Sequence, residues 1–379
     1  MLPTTYAYRI GGITDPEFAG DTLDLGPTHP ASAGMLDLAI SASEGRITSV
    51  DPSPGALHRG AEPILTARDY RQALSLANRH DWQAPFFGEW ALARLIEDAL
   101  GVEVPVRARW VRAVLAEHTR TASHLAHLSF VGHRLRDAAL DTTGVREELR
   151  ERTAELTGNR LHPMAVRLGG VACDPTPVWA DAERATLARA SELAARLGAA
   201  LGGGLGAGVA PVTRAQVDAH GLAGPVARAS GVATDLRRHP DRPGGHEAPW
   251  ADLADLLDLD TPTTGDAHAR FSHLAAEVTA SAAMVDRLLD GLPDGPLRAH
   301  LPKVVKLPEG DWLAAVEAPL GRAGMVVTSR GEKTPWRLRL RTPSFANVSA
   351  WPAVLPGTAV ADLDIALASL PWVAGDLDK

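Results

Sequence analysis

The stretch VRARWVRAVLAEHTRTASHLAHLSF, residues 106–130, gives the strongest indication of the fold class. Apolar side chains recur in it at the spacing of one helix face, at Val111, Val114, Leu115, Ala122 and Leu125. Pro105 stands directly before the stretch, at a place where helices commonly begin. The pattern predicts a long helix that turns one apolar stripe towards a core.

Further helices are predicted on both sides of this stretch. They cover residues 69–80, 87–100, 144–157, 180–201 and 267–292. Gly101 ends the second of them, as glycine commonly does. Long helices at this density are typical of a helical bundle.

Both ends of the chain have β character. Short strands are predicted at residues 6–10, 35–41, 46–50, 312–317, 324–328 and 336–341. Residues 42–45 (ASEG) suit a hairpin turn, residues 238–249 form a loop, and a last helix covers 360–370. The predicted fold class is α+β, mostly helical, with a central bundle and small β regions at both ends. We divide it into an N-terminal β region (1–62), a bundle core (63–300) and a C-terminal α/β region (301–379).

Composition narrows the classes of function. The 379 residues are 45% hydrophobic and 22% charged, enough for a large buried core, and the formal net charge is −8. That charge argues against nucleic acid as a partner. The single cysteine, Cys173, cannot form an internal disulfide or hold a cysteine-ligated iron–sulfur or nickel–iron centre. A redox metal would therefore belong to a partner chain.

No part of the sequence predicts membrane insertion. The first twelve residues lack the basic segment and apolar run of a signal peptide. The most apolar window, residues 193–212, contains Arg196 and a glycine cluster and is not predicted to span a membrane. Any work at a membrane is expected to proceed through partners.

Two other patterns have a functional and a structural interpretation. His118, His124, His127 and His133 share the long helix, where we favour imidazoles at its polar border over a zinc site. The run GGGLGAG, residues 202–208, lacks the preceding strand and later acidic residue of a dinucleotide site, so none is predicted.

Two glutamates in predicted helices are candidates for buried structural carboxylates. Glu89 and Glu117 are expected to pair with Arg109, Arg112 or Arg120.

Several separated motifs carry a family resemblance. They are LGPTHPASAG (25–34), DPSPGALHRGAE (51–62), TGNRLH (157–162), RLGGV (167–171), ASGVATDLRR (229–238) and TGDAHARF (264–271). Their order, together with the C-terminal stretch from residue 316, resembles the D-type (49 kDa-like) subunit of NADH-quinone oxidoreductase, or complex I. The resemblance covers nearly the whole chain.

The resemblance implies a fold and a role. The fold would be that of the nickel–iron hydrogenase large subunit, without its metal cysteines. The chain would bind no cofactor itself. It would pack against a B-type subunit that carries a 4Fe-4S cluster, and quinone would be reduced in the cleft between them. C-type and H-type subunits are further expected partners. The expected location is peripheral, on the cytoplasmic face of the plasma membrane, and NADH is the family's default electron donor.

The motifs of the quinone site depart from the family pattern. The family's turn carries two histidines; this chain keeps the first as His29, but Ala33 stands at the second, headgroup-binding position. The family's Asp-Tyr pair is Asp81-Trp82 here. An indole donates a hydrogen bond but delivers no proton near neutral pH. Residues 132–134, where the family has an assisting aspartate, contain no carboxylate.

The positions that face the cluster in the family are better kept. Arg59, beside His58, matches an arginine close to the cluster, and His162, two residues after Arg160, matches a histidine whose protonation follows cluster reduction. A nearby positive charge raises a cluster's potential, and a nearby histidine makes that potential depend on pH.

Each candidate also has a structural interpretation. Arg59 could pair a carboxylate in a turn, and His162 could be a core histidine with satisfied hydrogen bonds. His29 could shape its loop before Pro30, and Trp82 could fill the old headgroup site.

Two functions remain open from the sequence. The chain either helps to form a working quinone site in a complex I-like assembly or is a structural, non-catalytic relative. The relative would keep the cluster-facing and assembly surfaces and have altered or lost quinone binding. A nickel–iron hydrogenase is excluded by the single cysteine.

Overall fold

A computed structural model describes residues 4–11, 18–239 and 249–379, and within it a mixed sheet opens the chain. Its strands are β1 (Thr4–Ile10), β2 (Asp21–Leu23), β3 (Leu36–Ser43) and β4 (Arg46–Ser53), in the order β2-β1-β3-β4. β1 runs parallel to β2, and β3 is antiparallel to both β1 and β4. The predicted hairpin is confirmed, with a tighter turn. Glu44 and Gly45 form it, both at positive φ, where glycine carries no steric cost.

Helices fill the middle of the chain. They are α1 (Ala61–Thr66), α2 (Tyr70–Ala77), α3 (Pro85–Leu100), α4 (Val106–Leu135), α5 (Thr143–Thr157), α6 (Pro177–Leu201), α7 (Arg214–His220), α8 (Gly224–Ala229) and α9 (Ala267–Asp290). A two-stranded hairpin, β5 (Val166–Arg167) and β6 (Gly170–Val171), interrupts them. The long α9 packs along α4 and α6, and α5 packs on α6. The predicted bundle is confirmed, with helix ends shifted by three residues or fewer.

A second sheet and two helices close the chain. β7 (Gly310–Ala318), β8 (Gly321–Ser329) and β9 (Arg337–Arg341) form an antiparallel meander that packs on α3. α10 (Pro343–Val354) and α11 (Leu363–Ser369) follow. The predicted last helix is a short 3-10 turn, Val360–Asp362, continued by α11, and α10 was not predicted.

The two ends of the chain lie together. α10 packs against β4, the backbone N–H of Ile47 donates to Thr358 O at 2.9 Å, and Gly357 donates back to Ile47 O at 2.8 Å. These contacts cross both boundaries of the three-region division, which stays a prediction.

The central helix α4 differs from the single apolar stripe that its spacing predicts. From residue 111 to residue 132 every side chain except Thr119 and Ala122 is buried, polar ones included. A helix that other elements surround on nearly all sides buries its polar side chains as well as its apolar ones. This is tolerated when the polar groups find hydrogen-bond partners. Across the described ranges, no helix is both long and apolar enough to cross a membrane.

Candidate functional site

The segment that joins α2 to α3, residues 78–82, brings the candidate residues together. His162 Nδ1 donates to the carbonyl oxygen of Asn78 at 3.1 Å. A guanidinium N–H of Arg59 reaches the carbonyl oxygen of Arg79 at 3.4 Å. Asp81 and Trp82 complete the segment. The two cluster-facing candidates and two quinone-site candidates therefore border one short piece of backbone, although their sequence positions span about a hundred residues.

Arg59 is held by the C-terminus of the chain. Its Nε lies 3.0 Å from Asp378 Oδ2, and the backbone N–H groups of Arg59 and Gly60 donate to Asp378 Oδ1 at 3.1 and 3.2 Å. His58 Nδ1 lies 3.4 Å from the same oxygen. The Asp378 side chain is buried, whereas that of Arg59 is 39% exposed. The guanidinium is thus held by Asp378 and by two backbone carbonyl oxygens, while more than a third of the side chain stays exposed.

His162 is half-exposed on a rigid loop. Asn159 Oδ1 accepts hydrogen bonds from the N–H groups of Leu161 and His162, each at 2.9 Å, which holds the turn. Partial burial lowers the pKa of His162, the positive charge of Arg79 lowers it further, and the bond to Asn78 opposes both. Arg160, in the same turn, forms an ion pair with Glu147.

Arg79 is a residue that the motifs did not single out. It is exposed, lies beside Arg59, and acts electrostatically on His162. Three groups that can carry positive charge therefore share this face of the molecule. An arginine within the α2–α3 segment was visible in the sequence, but only the fold shows that this segment meets Arg59.

Asp81 is a buried carboxyl group beside a second one. Its Oδ1 accepts from the N–H groups of Gln83 and Ala84 at 3.0 Å each, ahead of α3. Burial and the charge of Asp376 raise the pKa of Asp81 to about 7, while His80 opposes the rise. His80 Nδ1 lies 3.1 Å from Asp376 Oδ1. A carboxyl group in this state exchanges a proton near neutral pH, so this site retains one proton-handling group despite Trp82.

Trp82 forms a wall of a pocket between α3, α4 and α5. Gly375 lies against the indole, because a Cβ there would come within 2.5 Å of ring atom Cζ3 and within 2.2 Å of His80 O. Across the pocket stand His118, Thr153 and Arg146. Trp82 is half-buried and lines the pocket. Its interpretation as a filler of the old headgroup site stays a prediction.

Arg146 places a buried positive charge in this pocket. One guanidinium N–H donates to Thr28 O at 2.9 Å. No carboxylate of the described residues lies within 4 Å of it, although Glu147 and Asp141 act on it from farther away. Burial, and next the charge of Arg150, lower its pKa to about 10. A buried guanidinium without a contacting carboxylate favours a ligand that brings negative charge or a polarised oxygen.

His29 and Ala33 lie apart from this pocket. His29 is buried, and its Nδ1 accepts from the N–H of Ala31 at 3.2 Å, which caps the 3-10 helix Pro30–Ala33. Its ring packs edge-on against His127 at 5.5 Å between centroids. Burial, and then the charge of His127, hold the pKa of His29 well below its usual value. The loop-shaping interpretation of His29 describes this geometry, and Ala33 adds no polar side chain.

The histidines of α4 correct one prediction. His118, His124 and His127 are buried in the interior and do not lie at a polar border; only His133 is exposed. His124 Nε2 pairs with Glu277 Oε2 at 3.0 Å. A helical pattern counts histidine as polar, whereas each of these buried rings has at least one hydrogen-bond partner inside the bundle, a carboxylate for His118 and His124 and the carbonyl oxygen of Ser123 for His127. The described part of the chain contains no group of three or more His, Cys, Asp or Glu residues that could hold a metal ion.

The predicted pairing with arginine is confirmed for Glu117 and is wrong for Glu89. Glu117 pairs with Arg120 at 3.1 Å, as predicted. Glu89 instead accepts from Asn78 Nδ2 at 2.8 Å and from the N–H of Val166 at 2.9 Å, so its partners are neutral.

Of the other predicted arginine partners, Arg112 forms a two-pronged ion pair with Glu97, at 2.6 and 2.8 Å. The helical spacing could not distinguish Glu97 from Glu89, because both lie on α3 and both are buried.

Comparison with known proteins gives a consistent result. Residues 138–306 and 299–379 match the family described as the respiratory-chain NADH dehydrogenase 49 kDa subunit. The chain is 41% identical over 402 aligned residues to a D-type NADH-quinone oxidoreductase subunit of Streptomyces coelicolor, with all of both chains covered. It is 30% identical to the D-type subunit of the same enzyme in Desulforamulus reducens, covering 94% of this chain and 97% of that one.

A solved structure agrees with these relatives. It belongs to the membrane-bound sulfane sulfur reductase, an archaeal respiratory membrane complex. The TM-score is 0.81 at 27% identity, with 91% of this chain and 94% of that chain covered. The likeness extends over almost the whole fold described above.

Proposed function

Because the chain belongs to the family of the 49 kDa subunit of respiratory-chain NADH dehydrogenase, we propose that it works as the D-type subunit of a complex I-like NADH-quinone oxidoreductase. Its relatives are named as subunits of that enzyme. In this role it closes a quinone-reduction cleft against a B-type subunit with a 4Fe-4S cluster. C-type and H-type subunits complete its contacts and hold it at the cytoplasmic face of the membrane. The proposed donor is NADH.

One observation carries the proposal. Arg59 and His162 both contact the backbone of residues 78–82; the same segment contains the buried Asp81 and supplies Trp82 to the neighbouring pocket. A site that couples electron arrival to protonation of a substrate needs these two groups of residues side by side. The arrangement supports a single working site at the partner-facing edge of the bundle.

The proposed division of labour follows from the charges. A 4Fe-4S cluster on the partner would supply the two electrons for quinone reduction, one at a time. Arg59, with Arg79 beside it, holds positive charge on the face towards that cluster and raises its potential. His162 takes up a proton when the cluster gains negative charge. In the pocket, Arg146 stabilises the negative charge that develops on a headgroup oxygen, and the N–H of Trp82 donates to that oxygen.

A structural, non-catalytic role is the second candidate. It is favoured by Ala33 and Trp82, which remove the two side chains that deliver protons in the family pattern. The retained Asp81, with a pKa near 7, and the unpaired cation of Arg146 favour the catalytic role.

Purification of the tagged chain from its own membranes tests the assignment. We expect iron–sulfur and membrane-arm subunits to copurify, identified by mass spectrometry, and the assembly to reduce quinone with NADH in a reaction that a quinone-site inhibitor abolishes. Trp82→Ala should lower this activity, and Trp336→Ala, at an exposed tryptophan on the edge of the C-terminal sheet, should not. An intact assembly that reduces no quinone would establish the structural role instead.

A further inference from the structure

His118 connects three helices at the inner end of the Trp82 pocket. It lies on α4, and its Nδ1 is 2.7 Å from Glu183 Oε1 on α6. Its Nε2 is 2.8 Å from Thr153 Oγ1 on α5. The side chain of Glu183 is fully buried, and its second oxygen, Oε2, has no hydrogen-bond partner within the described residues. Such a buried, partly satisfied polar group costs stability, so a function would explain its presence.

The hydrogen-bond partners of His118 and Thr153 indicate which of their atoms donate. A carboxylate oxygen only accepts, so His118 Nδ1 carries a proton towards Glu183. Thr153 Oγ1 lies 3.0 Å from the carbonyl oxygen of Leu149, which also only accepts, so the hydroxyl proton points there. With the hydroxyl in this orientation, a lone pair of Thr153 faces Nε2 and accepts a hydrogen bond from it whenever the ring carries a second proton there. In that form both ring nitrogens of His118 donate, one to Glu183 and one to Thr153.

This trio opens on the pocket. His118 and Thr153 both line it, opposite Trp82. Thr119 and Ala122, the two residues of α4 between 111 and 132 that are not buried, line the same pocket. The buried helix therefore reaches solvent-accessible space here, next to His118.

The charges around the trio favour release of a proton into the pocket. α5 contributes Arg146 and Arg150, and the loop after it contributes Arg160. The last two share the carboxylate of Glu147. Positive charge on the pocket side lowers the cost of moving a proton from His118 to an oxygen that is gaining negative charge.

We propose that Glu183, His118 and Thr153 form a proton relay that delivers a proton to the quinone headgroup in the Trp82 pocket. The proposal rests on the proposed function. Rotation of the Thr153 hydroxyl turns its proton from Leu149 to a headgroup oxygen. As that O–H bond forms, Oγ1 takes the Nε2 proton of His118. Neutral His118 remains bonded through Nδ1 to Glu183.

The step balances with the reaction as a whole. The quinone gains two electrons from the partner's cluster, one proton from the relay and one from water, which gives the quinol. Water in the pocket then returns a proton to Nε2 of His118 through Thr153. No oxidant or reductant beyond those of the proposed reaction is needed.

Substitutions of Thr153 in the purified complex test the relay. Thr153→Val removes the hydroxyl with little change of shape and should lower quinone turnover about 100-fold while leaving the KM for quinone nearly unchanged. Thr153→Ser keeps the hydroxyl and should retain most of the activity. Thr157→Val, one turn further along α5, removes a hydroxyl that bonds only to backbone groups and should leave turnover unchanged.

Two further readouts separate proton transfer from a purely structural tie between helices. The wild-type complex should show a solvent deuterium isotope effect on turnover that is altered in Thr153→Val. The reduced-minus-oxidised infrared spectrum should contain an imidazole signal that is lost in His118→Gln. Full turnover, an unchanged isotope effect or an unchanged infrared signal in these variants would overturn the relay. Absence of quinone turnover in the wild-type complex would overturn the proposed function and the relay together, whereas activity that Thr153→Val does not affect would overturn the relay alone.

Discussion

At the scale of single residues, the proposed function relies on His162 to link electron and proton transfer. Partial burial and the charge of Arg79 lower the pKa of this ring, which favours its neutral form. In the proposed complex, negative charge on a reduced partner cluster would raise that pKa and favour uptake of a proton. The cluster's potential therefore falls with rising pH in the window between the two pKa values.

Replacement of this ring makes the link measurable. We expect His162→Leu to flatten the pH dependence of the partner cluster's midpoint potential, followed by redox titration with EPR detection at several pH values. His133→Leu, at the exposed end of α4, is the control and should keep the wild-type slope. A slope that survives in His162→Leu would assign the coupling to another group.

Asp81 makes a second prediction, about stability. Its pKa is raised to about 7 in the folded chain from 3.8, so the folded state favours the neutral form. The stability gained from this preference is fully present below pH 4 and is lost as the pH rises through 7. Asp81→Asn stays neutral, so its free energy of unfolding should fall less between pH 5 and 8. One pKa unit corresponds to about 1.4 kcal/mol, so the variant should exceed the wild type at pH 8 by roughly 1–4 kcal/mol.

Urea unfolding of the full chain at pH 5 and pH 8 checks this difference. Asp137→Asn is the matched control, because Asp137 caps a short 3-10 helix in the same way but is exposed. Parallel pH profiles for wild type and Asp81→Asn would show that Asp81 does not titrate in this range.

At the scale of elements, a buried ionic network joins the bundle to the loop after α8. Arg237 contacts Asp235 at 2.7 Å, Glu117 of α4 at 3.2 Å, and Glu277 of α9. All four side chains are almost completely buried. Removing one partner from such a network leaves charges buried without compensation, which is far more destabilising than losing a surface pair.

Truncation of Arg237 should therefore cost much stability. We expect Arg237→Ala to lower the free energy of unfolding by about 3–5 kcal/mol. Arg189→Ala breaks an exposed Arg–Glu pair between α6 and Glu148 and should cost about 0–1 kcal/mol. Denaturant unfolding of both variants gives the comparison, and equal losses would mean that water relieves the buried charges.

The predictability of each element follows from its environment. α6 and α9 have the apolar spacing and N-terminal caps that identify a helix, and both were predicted within three residues. α10 was not predicted because Pro343 and Pro352 lie within it, and because its own buried residues do not recur with the period of a helix. Its fold depends on packing against β4, which no local pattern reveals.

The candidate site shows the same contrast between local motifs, which the sequence reveals, and long-range contacts, which it does not. Arg59, His162, Asp81 and Trp82 could be selected as candidates from short motifs, and their roles stay predictions. Their partners could not be identified in this way. Asp376 and Asp378 reach the site from the far end of the chain, and the buried state of His118 depends on Glu183 in another helix.

At the scale of the whole molecule, the C-terminus closes the site. The backbone of residues 374–378 forms a short 3-10 helix and its cap beside the α2–α3 segment. Gly375 touches Trp82, Asp376 pairs with His80, and Thr342 donates to the carbonyl oxygen of Asp376 at 2.6 Å. This long-range pairing makes the electrostatics of the surface around Arg59 a property of the complete fold, since Asp378 balances the charge of Arg59 from the far end of the sequence.

That balance gives a final prediction. Asp378→Asn keeps an oxygen for the N–H groups of Arg59 and Gly60 but removes the charge that neutralises the guanidinium. The uncompensated positive charge should raise the midpoint potential of the partner's cluster. A unit charge near a protein surface changes the energy of another charge by roughly 1 kcal/mol at distances well beyond 4 Å, so the expected rise in potential is on the order of tens of millivolts.

Asp364→Asn is the control for this prediction. It breaks a pair with Arg134 away from this surface and should leave the potential unchanged. Redox titration of the purified complex distinguishes the outcomes: a rise in Asp378→Asn alone supports the position of Arg59 beside the cluster, and equal potentials in all three proteins would contradict it.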